Sequence, residues 1–377
     1  MSQPFIKMKK FFFSLLFVAF VVGCSDDSSE DNSSTDNFDR QAMLVNWADN
    51  LIIPSYTSFQ GEVEVLKNAS ETFTENPTQE HLEALRAVYQ EAYLAFQHVS
   101  MYEIGPAETV NYRGFINTYP TDAEGIENTI ASDSYNLELP SNRNIQGFPA
   151  LDYLLYGLAE SDAELLAVYS TNPNADAYKN YLTNVSQRIL DLTGAVLTEW
   201  NNNYRDTFVN NTSSSNTGSV DRFTNDFIIY YEKYLRSGKV GIPAGAFSGT
   251  VQPTKVESYY HPSFSKELLK EALLATQNFF NGQSAGNSTN GASFKTYLDY
   301  LDSMKDGEQL SSLINDRFEN SFQKINELDA SLLQQIETDN NKMLETFDAL
   351  QSNVILLKID MLQALSISVD YVDSDGD

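Results

Sequence analysis

The chain has 377 residues, with 52 acidic side chains against 24 basic ones, a formal net charge of −28, and a single cysteine. A surface this acidic repels phosphate backbones, which excludes nucleic acid as a partner and favours cations or basic molecules. One cysteine excludes an intramolecular disulfide framework.

The chain opens on a targeting segment. Lys7, Lys9 and Lys10 precede an apolar run, Phe11 to Val22, that is too short to cross a bilayer as a helix. The run ends in VVGC and leads at once into SDDSSEDNSSTDN. That order is similar to a bacterial lipoprotein signal, in which cleavage before Cys24 frees its amine and thiol for acylation. Residues 1–23 are therefore predicted to be removed, and 24–37 to form a disordered acidic tether. The body is expected in a Gram-negative envelope, held to the outer membrane by lipid on Cys24, at the periplasmic face or the cell surface. An ordinary secretory signal, or an N-terminal anchor, with an idle cysteine is the other reading.

Helical periodicity dominates the chain beyond the tether. Leu82, Leu85, Tyr89, Ala92, Phe96 and Val99 step by three and four, with Asn76, Pro77 and Gln79 as predicted start signals and Gly105-Pro106 as the stop. Further helices are predicted around 38–73 with a kink at Pro54, then 174–208, 219–237, 264–281, 292–304 and 308–337. A closing stripe runs from Met343 through Phe347, Leu350, Val354, Leu357 and Met361 to Ala364. No stretch alternates with period two between hairpin turns. The fold class is all-α, and the polar run NNTSSSNTGS at 210–219 divides it into predicted helical bundles at 38–209 and 220–377.

The absent motifs narrow the chemistry. There is no HExxH and no GxSxG, and SFSK at 263–266 opens a predicted helix, where a serine reads as a cap. Of the three histidines, His81 lies in a first turn and His98 off the apolar stripe, so neither is expected to be a ligand. The tail DSDGD is similar to half of a calcium loop but ends before a bidentate glutamate. Carboxylates on apolar faces are more informative. Glu103 extends the 82–99 stripe, and Asp152 shares a helix face with Phe148 and Leu155. A carboxylate on such a face needs hydrogen bonds, a cation or a proton.

GFPALDYLLYG at 147–157 resembles the signature segment of the imelysin family, whose pattern is GxHxxE. YQEAYLAFQHVSMYEIGPAE, TYPTDAEGIENTIA, VESYYHPSFSKELL and LLKIDMLQALSISVDYVDSDGD resemble its other marks in the same order, over 38–377. The resemblance implies two helical bundles packed together with the signature segment in the cleft between them. It also implies an envelope protein, in a family linked to iron uptake and named for peptidase activity. Gly147 matches the family glycine, Pro149 stands where histidine is expected, and Asp152 where glutamate is expected. Proline cannot coordinate a metal, and the shorter aspartate withdraws its oxygens by roughly 1 Å.

If the family arrangement holds, Glu103, Glu257, Ser265 and Lys358 join Asp152 in the cleft. Asp152 and Glu103 would then be the ligands for iron or another divalent cation, with neutralisation of a buried acid by Lys358 as the alternative. The expected function is a binding protein in iron or haem acquisition, working beside an outer-membrane transporter. A metal-dependent peptidase, which the loss of the histidine disfavours, and a surface interaction protein without a small ligand are the competing readings.

Overall fold

A computed structural model describes residues 36–132, 134–284 and 290–370. The leader, Cys24, the tether up to residue 35 and the DSDGD tail lie outside the described residues.

The first helical run combines α1 (Arg40–Asn46), a π turn (Trp47–Ile52) and α2 (Ile53–Glu75). The π turn lies just ahead of Pro54, whose missing N–H removes a rung of the ladder, so the predicted kink takes the form of a wider turn. Thr78, rather than Asn76, caps α3 (Gln79–Gln97): its extended backbone lets Oγ1 accept the His81 amide at 3.2 Å. Asn76 instead closes α2.

Short helices α4 (Pro106–Val110), α5 (Tyr112–Ile116) and α6 (Ala123–Ser132) come next, and α7 (Gly147–Asp152) runs directly into a π turn (Tyr153–Gly157). Beyond α8 (Asp162–Ser170), the long α9 (Ala175–Glu199) passes through another π turn into α10 (Arg205–Asn210). After the polar loop, α11 (Ser219–Ile229) continues through a π stretch (Tyr230–Gly241) into α12 (Ile242–Ala244). There follow α13 (Ser265–Asn281), α14 (Phe294–Tyr300), α15 (Leu310–Asn326) and α16 (Leu332–Ile355), which extends through a π turn (Leu356–Met361) into α17 (Leu362–Leu365), with a two-residue antiparallel pair, β1 (Met304–Lys305) and β2 (Glu308–Gln309), ahead of α15. The protein is all-α, as its periodicity indicates. The helix predicted over 308–337 is two helices, because Ser331 accepts the Gln334 amide at 3.1 Å and starts α16 afresh.

α2 packs against α3 and α9, while the Tyr230–Gly241 stretch, α15 and α16 pack on one another, and α13 touches both α3 and α15. The described residues from Phe38 onward form one compact unit. Tyr93 of α3 stacks on Phe148 of α7 with centroids 4.4 Å apart and planes 4° from parallel. Both rings are fully buried, each contributing about 1.5–3 kcal/mol by burial, and together they seat α7 on the α3 face.

Candidate functional site

α7 begins in a conformation that only glycine accepts readily. Gly147 has φ +76°, and a Cβ there would sit 2.2 Å from the Ile116 carbonyl oxygen. Pro149 occupies the first turn, where no intrahelical donor is lost, and is buried. One turn later, Asp152 ends α7 at 1 % exposure. The adjoining π turn is held by Arg86, which donates to the Leu155 carbonyl from Nε at 3.0 Å and from Nη2 at 2.7 Å. Gly157 leaves room for the Tyr260 ring, which would lie 2.4 Å from a Cβ at that position.

The other wall comes from the segment before α13. The Ser258 hydroxyl donates to Asp152 Oδ1 at 3.2 Å and the Tyr260 amide to Oδ2 at 2.7 Å. Ser258 holds φ +58° to do this, a left-handed conformation uncommon for serine. Burial pushes the Asp152 carboxyl up to about 7 against the opposing pull of these hydrogen bonds. Tyr89 lies alongside: its phenol is raised by burial and then by the Asp152 charge, and its buried Oη makes no hydrogen bond of good geometry among the described residues. A cavity of about 280 Å³ opens over Asp152, walled by Tyr119, Pro149, Thr254, Tyr259 and Tyr260 among others, with no lysine, arginine or histidine among the described residues of its lining.

Glu257, next to Ser258, points into a different network. It accepts from Asn117 Nδ2 at 2.8 Å and Tyr93 Oη at 3.1 Å, and it pairs with Lys239, which also donates to Gln97 Oε1 at 3.0 Å. Both charged groups are at most 4 % exposed. Glu103 belongs to a third cluster: its carboxylate accepts the Arg113 amide at 2.9 Å, and its own amide donates to Asp226 at 2.9 Å. Burial raises Glu103 to about 7, with the Arg113 charge opposing. Lys358 donates to Glu232 at 3.0 Å. Ser265 does not cap its own helix; its hydroxyl donates to the Pro262 carbonyl and accepts the Leu332 amide at 2.9 Å, which satisfies the open first turn of α16.

Of the residues named from sequence, Gly147, Pro149 and Asp152 thus share one site, Glu257 backs onto it, and Glu103, Ser265 and Lys358 are bound elsewhere. Sequence reasoning missed Ser258, Tyr260 and Lys239. The first two lie within the VESYYHP part of a segment that resembles the family, but only a fold can show that a main-chain amide aims at residue 152. Among the described residues, no three His, Cys, Asp or Glu side chains gather closely enough to hold a metal ion. His98 bonds Glu271 through Nε2 at 2.6 Å, and the His261 ring stacks on Tyr156 at 4.3 Å.

Comparison with solved structures supports the fold. A candidate iron-regulated protein A precursor from Parabacteroides distasonis ATCC 8503 matches with a TM-score of 0.68 at 18% identity, covering 85% of this chain and 95% of that one. An imelysin-like protein from Psychrobacter arcticum 273-4 matches with a TM-score of 0.69 at 17% identity, covering 88% and 97%. In sequence, the chain is 27% identical over 140 residues to Iron-regulated protein A of Synechococcus elongatus, a match over 35% of this chain that spans only 38% of that relative's length. The profile of the family Peptidase_M75, Imelysin, matches residues 52–356. With the glycine-started α7, the altered motif around Asp152 and that match across most of its length, the chain belongs to the imelysin family.

Proposed function

We propose that this protein is a binding protein of the Gram-negative envelope that serves iron acquisition, with its ligand seat over Asp152, and that it is not a peptidase. The observation that carries the reading is a carboxylate at 1 % exposure, fixed by a hydroxyl and an amide at the base of a cavity of about 280 Å³. Relatives named for iron regulation support the link to iron. A hydrolytic metal normally has three protein ligands and a bound water, and Pro149 supplies none at the motif position. The cavity lies at the small end of ligand sites, about 300–1,000 Å³, and so would grip one end of an iron chelate rather than enclose a haem.

Two bundles, before and after the 210–219 loop, would supply the two walls. The anchor is lipid on Cys24, which leaves the body beside an outer-membrane transporter as its partner. Among the described residues, no helix is long and apolar enough to cross a membrane.

Calorimetry with ferric citrate, other ferric chelates and haem tests the reading. Affinity for an iron chelate that is lost in Asp152→Ala supports it; no measurable affinity for any of them removes it. Chelator-sensitive peptide hydrolysis that disappears in Asp152→Ala would replace it with the peptidase reading. In cells, Cys24→Ser should abolish lipid labelling and release the protein from the membrane fraction.

A further inference from the structure

We infer that the cavity over Asp152 takes the ammonium group of a small organic amine, so that the ligand of the proposed binding function, on which this inference rests, is an iron chelator carrying a free amine. The cavity has one carboxyl group and no counter-charge. Asp152 is the only acidic side chain among the described residues of its lining; the Tyr260 amide donates to Oδ2, the Ser258 hydroxyl donates to Oδ1 and is shared with the His261 carbonyl at 3.1 Å, and the His261 amide and the Tyr89 phenol also favour the carboxylate. Two buried or half-buried basic groups near the site are already committed. Lys239 is bound by Glu257 and Gln97, and Arg86 by the Leu155 carbonyl and by Asp162 at 2.8 Å. The carboxylate is therefore held by neutral donors, with no cation among the described residues of the cavity lining, at a depth where an unpaired charge is costly.

The remaining walls specify which cation fits. Tyr119, Tyr259 and Tyr260 all line the same cavity, and aromatic side chains beside a carboxylate favour an ammonium over a neutral group of equal size. A bare metal ion is the poorer match, because no second or third carboxylate or imidazole stands beside Asp152 among the described residues.

The test is titration calorimetry of the full chain with n-butylammonium, with n-butanol as its neutral counterpart, and with ferric citrate. The inference expects n-butylammonium to bind, n-butanol to bind about tenfold more weakly or not at all, and Asp152→Asn to remove that preference. Equal binding of amine and alcohol, or amine binding unchanged in Asp152→Asn, overturns it. If ferric citrate binds in an Asp152-dependent way while the amine does not, the ammonium inference falls and the iron-binding reading stands; if neither binds, both fall. Should Asp152→Asn fail to fold, Tyr259→Ala carries the test, since it removes an aromatic wall and leaves the carboxylate in place. Weakened amine binding in that variant supports the inference, and unchanged amine binding overturns it.

Discussion

Asp152 and Glu257 are two buried carboxylates that act on the same pair of tyrosines, Tyr89 and Tyr93, yet the protein accommodates them in opposite ways. Glu257 has a lysine, an amide and a phenol, so its charge is neutralised from within. Asp152 has a hydroxyl and a main-chain amide, facing a cavity without a cation. A buried acid that carries its own counter-charge is a closed structural pair. One that lacks it is either protonated or waiting for a partner. Glu103 falls between the two, with Arg113 nearby but its carboxyl still raised to about 7.

The largest expected effect comes from opening the closed pair. Lys239→Met leaves Glu257 buried without its cation and should cost about 3–5 kcal/mol in urea unfolding, with Lys239→Met/Glu257→Gln recovering part of the loss. A smaller variant effect would mean that Asn117 and Tyr93 suffice, and the contrast between the two carboxylates would lose its basis.

Next in size is the pH dependence of the open site. Folded Asp152 holds its proton up to about pH 7, whereas an unfolded aspartate releases it near pH 3.9, about the ordinary value. Between those limits the native state binds more protons, so the stability Asp152 contributes is fully present below about pH 4 and lost as pH rises through 7. Asp152→Asn removes this titration while keeping the shape of the side chain. Its stability relative to the unsubstituted chain should rise by roughly 2–4 kcal/mol between pH 4 and pH 8, read from denaturant titrations at each pH. A difference that is flat with pH would show that the carboxylate is charged throughout.

Smaller losses sharpen the geometry that sets Asp152 apart. Gly147→Ala forces a Cβ against the Ile116 carbonyl at positive φ and should cost about 1–3 kcal/mol in thermal unfolding while displacing Asp152. Ser258→Ala removes one of the two donors to the carboxylate and should cost about 1 kcal/mol, with ligand binding shifted more than stability. If binding is unaffected, Ser258 supports only the loop.

Much of the fold was legible because α-helices report their buried faces through spacing. The 82–99 stripe became the buried face of α3, and the closing stripe that of α16 and its extension. The cap of α3 shifted from Asn76 to Thr78 because either side chain can follow the sequence rule, and only backbone conformation selects between them. The pairing of charges was less legible. Lys358 was expected near Asp152, yet it lies with Glu232, while Lys239, inside a Ser-Gly-Lys-Val-Gly stretch with no visible acidic neighbour, meets Glu257.

By itself, the sequence determined the helical class, the acidic character and the glycine-and-proline start of α7, since each depends on local spacing, composition or backbone freedom. Only the tertiary structure decided that Glu257 would be neutralised and Asp152 left open, that Ser265 would serve a helix other than its own, and that Ser258 and Tyr260 would hold the site. Those outcomes depend on contacts between residues 18, 67 and 106 to 108 positions apart along the chain, which local propensity does not encode and tertiary packing does.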